Sequence, residues 1–162
     1  MSRNPSDYRP CVGAVILNRD GKVWLGRRYG VDGPYVWQFP QGGRDPGETS
    51  EIALWREMWE EIGLRPEHVE LLDRTECELI YDYPPAVRAK KSHGKLGQRQ
   101  VWFALRMNAD NSVFRFDNED PPEFTEWRWA DFHEAVDGII PFKRKVYEAV
   151  AGRFLHLSDL HK

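Results

Sequence analysis

The sequence predicts an α/β/α sandwich built on a mixed β-sheet, and three observations carry that reading. Short apolar runs bounded by turn residues recur along the chain, the clearest being Cys11-Val12-Gly13-Ala14-Val15-Ile16-Leu17. Two other segments, one following Thr49 and one following Pro141, repeat their apolar residues at helical spacing instead. Strands accompanied by two or three helices on different faces make such a sandwich.

In chain order, Tyr8-Arg9-Pro10 leads into the first run, which suits a strand buried on both faces. Asn18-Arg19-Asp20-Gly21 is a hairpin turn signal, and residues 22–28 return as a second strand. Residues 30–34 read as a loop and residues 36–40 as a brief extended piece. Residues 69–81 read as one strand, interrupted by Pro84-Pro85. Residues 99–107 and 113–116 read as strands separated by a turn. Glu126-Trp127-Arg128-Trp129 alternates as a half-buried strand does. Residues 131–135 suit a short helical turn, and Pro141 can begin the last helix, with Val146, Val150 and Phe154 at spacings of four.

At 162 residues the chain is expected to form a single domain, residues 1–162. The net charge of −3 excludes a general polycation, so any nucleic-acid contact must come from a local patch. Cys11 and Cys77 are too few for a disulfide framework. No apolar run approaches the roughly 18 residues of a membrane span, and MSRNPSDYRP lacks an apolar signal core. A cytoplasmic protein, sufficient as a monomer, is expected.

The stretch that organises the rest is GGRDPGETSEIALWREMWEEIGL, residues 42–64. On a helix with Leu54 at zero, Met58 and Ile62 fall at about 40° and 80°, while Glu61, Glu57 and Glu60 fall near 340°, 300° and 240°. One arc is apolar and the adjoining arc carries three carboxylates. Thr49 or Ser50 can cap the first turn, and Gly63 stands where a left-handed terminator is wanted. Neighbouring carboxylates repel by a few tenths of a kcal/mol per pair. A divalent cation reverses that sign, and carboxylate oxygens are hard ligands that suit Mg²⁺ shared with phosphates. The plainer alternative is a solvated acidic face with Arg56 as its partner.

The spacing of Gly42, Glu48, Arg56, Glu57, Glu60, Glu61 and Gly63 would coincide by chance about once in 10⁸ starting points at average usage. It resembles the Nudix box, which implies the Nudix α/β/α sandwich and hydrolysis of a nucleoside diphosphate linked to another group. Beyond the box, YRPCVGAVILN, WQFPQGG, GQRQVWFAL, PEFTEWRW and PFKRKVYEAV resemble the bacterial RNA pyrophosphohydrolase family, also described as dinucleoside polyphosphate hydrolases. That resemblance implies Mg²⁺ or Mn²⁺ held by Glu57, Glu60 and Glu61, with the Gly42 carbonyl a further ligand. It implies Glu123 as another carboxylate near the metals, and Arg9, Arg28 and Lys143 near the phosphates. Tyr81 and Phe142 match aromatics around the first base. Glu48 and Arg56 are expected to fix the loop to the helix, and the general base is a box glutamate such as Glu61, or Glu123. The implied substrate is 5′-triphosphorylated RNA, with dinucleoside polyphosphates as the second reading. A binding module without catalysis is a third, disfavoured because every box glutamate is present.

No Asp or Glu lies between Asp82 and Asp110, where Arg88, Lys90, Lys91, His93, Lys95, Arg99 and Arg106 occur. Residues 84–97 read as an exposed loop. The stretch reads either as a phosphate-collecting rim, extended by Arg27-Arg28 and Lys143-Arg144-Lys145, or as a solvated loop guarding a sheet edge. Residues 84–95 depart from the family's pattern.

Overall fold

The computed structural model describes residues 3–91 and 94–159. At its centre, β1 (Tyr8–Leu17) runs parallel to β7 (Gly97–Met107), paired from Tyr8↔Gly97 to Leu17↔Arg106. Every other pairing is antiparallel. β2 (Val23–Arg28) pairs β1, β3 (Trp37–Gln38) and β8 (Phe124–Ala130), while β4 (Gln41–Gly43) pairs β1 through Cys11↔Gly43. β5 (Val69–Arg74) and β6 (Leu79–Asp82) both pair β7. The sheet is therefore mixed, as expected.

Both faces of β1 are covered, and alternation along the strand divides its side chains between two cores. Val12, Ala14 and Ile16 pack with Leu54, Met58 and Ile62 of α1 (Ser50–Ile62). Val15 and Leu17 pack on the other face with Ala135 of α3 (Phe132–Asp137) and with Val146, Tyr147, Val150 and Phe154 of α4 (Arg144–Phe154). Helices thus flank the sheet on both sides. No helix among the described residues is long and apolar enough to cross a membrane.

Four local expectations are corrected. Residues 69–81 form two strands, β5 and β6, not one; the chain leaves the ladder between them, where the Thr75 hydroxyl accepts from Trp102 N at 3.0 Å. Residues 113–116 form no strand, because the Asp110 carboxylate accepts from Ser112 N and winds a 3₁₀ turn at Asn111–Val113. Pro141–Lys143 is likewise a 3₁₀ turn, and α4 begins after it. Within residues 84–97, α2 (Pro85–Lys91) replaces the expected open loop; the Pro84 carbonyl accepts from Val87 and Arg88, and Pro85 is harmless at a helix start.

Of the two readings of the basic stretch, Lys95 and Arg99 follow the edge-guarding one. Arg99 is tied to Glu78 at 2.7 Å and to the Pro5 carbonyl, and Lys95 donates to the Ser6 carbonyl at 2.7 Å. These cations pin down the N-terminal segment and a sheet edge. His93 and the side chains of Lys90 and Lys91 lie outside the described residues.

Candidate functional site: an acidic helix facing a cationic and aromatic cleft

Helix α1 sets one wall. Thr49 caps it, accepting from Ile52 N at 3.1 Å, and Gly63 ends it at φ 73°. Burial of a Leu, Met or Ile side chain contributes about 1.5–3 kcal/mol each, which outweighs the few tenths that neighbouring carboxylates cost. Packing of Leu54, Met58 and Ile62 therefore decides how α1 is rolled, and the carboxylates follow. Glu61, nearest the apolar arc, is 5% exposed, Glu57 is 9% exposed, and Glu60, farthest away, is half-buried.

Arg56 ties the wall together. Its Nε and Nη2 each donate to a Glu48 oxygen at 2.8 Å, Nη2 also reaches the Gly43 carbonyl at 2.7 Å, and Nη1 donates to Glu57 at 2.8 Å and Glu60 at 3.3 Å. Glu48 in turn accepts from Asp45 N at 2.8 Å, closing the loop before the helix. The Arg56 guanidinium, helped by that amide, holds the Glu48 carboxyl down at about 2. Arg56 is itself raised, first by Glu48.

The two inner carboxyls behave in the opposite way. Burial, then the charges of Glu123 and Glu57, push Glu61 well above the usual carboxylate range. Burial also raises Glu57, against hydrogen bonds from Glu61 and Arg56 that lower it. Of the two carboxyls, Glu61 is the one whose surroundings most favour the protonated form. Gly42 lies so close that a Cβ built there would overlap the Glu57 carboxylate.

These carboxyls open into a cleft of about 830 Å³. Gly42, Glu57, Glu61 and Glu123 line it together with Arg9, Arg28, Lys143, Tyr81 and Phe142. Glu48, Arg56 and Glu60 stand behind the lining. The Arg9 guanidinium lies against the Gly43 backbone. Lys143 is buried at 7% exposure, donates to Gln38 at 3.3 Å, and sits 5.9 Å from the ring centres of both Tyr81 and Phe142, which are 5.6 Å apart. Arg88, Lys95 and Arg99 do not line it.

Residues absent from the sequence expectations also line the cleft: Glu119, Gln38, Gln41, Gln98 and Tyr83. Glu119 is raised by burial and by Glu57, Glu60 and Glu123. For Gln98 a signal existed, since Gln98, Gln100 and Trp102 alternate onto one face of a strand flanked by apolar residues. Nothing in the sequence marks Glu119 or Tyr83.

The donor set fits a hard divalent cation. Its oxygens are carboxylates, and Glu61 Oε2 is buried with no hydrogen-bond partner. Among the described residues no three His, Cys, Asp or Glu side chains converge as tightly as bound metal requires. Arg56 engages two of the three box carboxylates, Glu57 and Glu60.

Comparison with known proteins agrees with this arrangement. The NUDIX domain profile matches residues 7–150. An RNA pyrophosphohydrolase of Caulobacter vibrioides is 49% identical over 91% of this chain and 86% of its own length. One of Stenotrophomonas maltophilia is 46% identical over 97% of this chain and 74% of its own length. Among solved structures, the E. coli dihydroneopterin triphosphate pyrophosphohydrolase superposes with a TM-score of 0.68 at 23% identity, covering 88% of this chain and 95% of its own; at that identity the likeness speaks for the fold alone. With the glycine loop, its Arg56–Glu48 tie and the carboxylate helix all in place, the chain belongs to the Nudix hydrolases, in the company of relatives named RNA pyrophosphohydrolase.

Proposed function

We propose that this chain hydrolyses the 5′-triphosphate end of RNA, releasing pyrophosphate and leaving a 5′-monophosphate. The observation that carries the reading is one cleft lined at once by the buried carboxyls of Glu57 and Glu61, by three cationic side chains and by an aromatic pair. Support comes from relatives of that name at 46–49% identity over most of their length.

Nudix hydrolases generally use divalent metals; Mg²⁺ or Mn²⁺ held by Glu57, Glu60, Glu61 and the Gly42 carbonyl would neutralise phosphate charge and supply a water of lowered pKa. Arg9, Arg28 and Lys143 bind the phosphate oxygens, and Tyr81 with Phe142 receives the first base. A water oxygen bonds to phosphorus as the anhydride P–O bond breaks and pyrophosphate leaves. Glu123, which lines the cleft and takes part in no ion pair among the described residues, accepts the water's proton. Glu48 and Arg56 touch no substrate; they position Glu57 through the Arg56 fork.

Gly42→Ala is expected to fold normally but to lose about 100-fold in turnover, because a Cβ pushes the Glu57 carboxylate off its place by an ångström or more. Circular dichroism and kcat measured together check it. For the substrate, kcat/KM is compared between 5′-triphosphorylated RNA and diadenosine tetraphosphate in competition. Preference for the RNA is expected; preference for the dinucleotide makes the chain a dinucleoside polyphosphate hydrolase using the same carboxylates.

A further inference from the structure

The polar floor of the cleft is a hydrogen-bond chain whose direction is forced. The Trp102 indole can only donate, and its Nε1 donates to Gln100 Oε1 at 2.9 Å. That contact decides which end of the Gln100 amide is oxygen. Gln100 Nε2 consequently donates, to Gln98 Oε1 at 3.0 Å and to Gln41 Oε1 at 3.3 Å. With its oxygen so engaged, Gln98 turns its Nε2 to the Tyr83 hydroxyl at 2.9 Å. Tyr83 is therefore an acceptor within the chain, and a phenol that accepts still has its own proton to donate. No acceptor for that proton exists among the described residues.

The proton is held in place and aimed. Trp102, Gln100 and Gln98 are 0%, 1% and 7% exposed, so the chain behind Tyr83 is buried along its length. The Tyr83 ring stands edge-on to Tyr81 at 5.7 Å, and its main-chain amide donates to the Leu96 carbonyl at 2.8 Å. What remains of its surface faces the cleft. Burial raises the hydroxyl above its usual range, against Gln98 and the Arg9 charge, so it is a neutral donor under physiological conditions. Arg9 pairs in register with Gln98, which brings its guanidinium to the same end of the cleft.

We propose that Tyr83 is a further substrate-binding residue, whose hydroxyl donates to a phosphate oxygen held beside Arg9. The proposal rests on the reading that the cleft receives a triphosphate end. Its ligand must accept a hydrogen bond and carry negative charge; a group that can only donate would oppose both Tyr83 and Arg9.

The test is Tyr83→Phe, which removes one oxygen and keeps the ring. Affinity for a non-hydrolysable, methylene-bridged nucleoside triphosphate is expected to fall about tenfold, the size of a hydrogen bond to a charged group. KM for triphosphorylated RNA should rise by a similar factor, with kcat falling less. The substitution also strands the Gln98 amide, so Tyr83→Phe combined with Gln98→Leu is measured beside it. The double variant is expected to recover melting temperature while the affinity stays weak. Unchanged affinity in Tyr83→Phe, or wild-type affinity in the double variant, overturns the proposal. If the wild type fails to turn over RNA but analogue binding still depends on Tyr83, the phosphate contact stands and the RNA reading falls.

Discussion

Glu57→Gln is expected to lower kcat/KM by about 10³-fold at saturating Mg²⁺ or Mn²⁺, with the fold and melting temperature close to wild type. Glutamine has the same length and can still accept from Arg56 Nη1, so the tie between helix and loop survives. What it loses is the charge. At this wall the charge is contested: Arg56 holds Glu57 and Glu60, and on the proposed assignment a divalent ion would compete with one guanidinium fork for both. On the proposed metal assignment, a neutral Glu57 would leave Glu60 and the buried Glu61 to hold the ion, and burial works against the charged form of Glu61 that would bind it. Calorimetric titration with Mn²⁺ should show the loss of affinity alongside the loss of rate. Near wild-type turnover at saturating metal would remove Glu57 from the metal site.

The parts legible in the sequence were those set by local chemistry. Thr49 and Gly63 bound α1 because a hydroxyl at one end and a left-handed residue at the other satisfy orphan backbone groups. The helical wheel around Leu54 orders the exposure of Glu61, Glu57 and Glu60, since burial of apolar residues decides the roll of the helix. Parts that depend on meeting across the fold were not legible. Periodicity cannot tell that residues 69–81 leave the ladder midway, because the reason is a hydroxyl on Thr75 meeting Trp102 on another strand. The basic stretch is continuous in sequence, yet β7 carries Arg99 to Glu78 while Lys95, ahead of that strand, reaches the Ser6 carbonyl. Nothing local to the sequence singles out Tyr83. Its donor character comes from an indole two strand positions beyond Gln100, through two amides, and only the assembled sheet shows that order.

Glu61→Gln is expected to act in opposite directions on stability and activity. A carboxyl whose folded pKa is raised contributes no penalty below its unfolded pKa of about 4.5, and an increasing one as the pH climbs toward its folded value. Below 4.5 it is protonated in both states; above that, the unfolded chain releases a proton that the fold retains. The wild type in EDTA should therefore lose melting temperature as the pH rises above about 4.5. Glu48, held down at about 2, works in the other sense, but its contribution is lost only as the pH falls below that range. In Glu61→Gln the penalty disappears, and the new amide donates to Glu57 in place of the carboxyl. Its melting temperature at pH 8 should exceed that of the wild type and vary less with pH. The same variant should lose about 10³-fold in kcat/KM and show no thermal shift on adding Mn²⁺, whereas the wild type regains on metal binding what deprotonation cost it. A melting temperature below wild type at pH 8 in EDTA would mean that Glu61 stabilises the fold through a partner other than a cation. The stranded oxygen at Oε2 argues against such a partner, since a structural carboxylate buried to this depth is ordinarily satisfied on both oxygens.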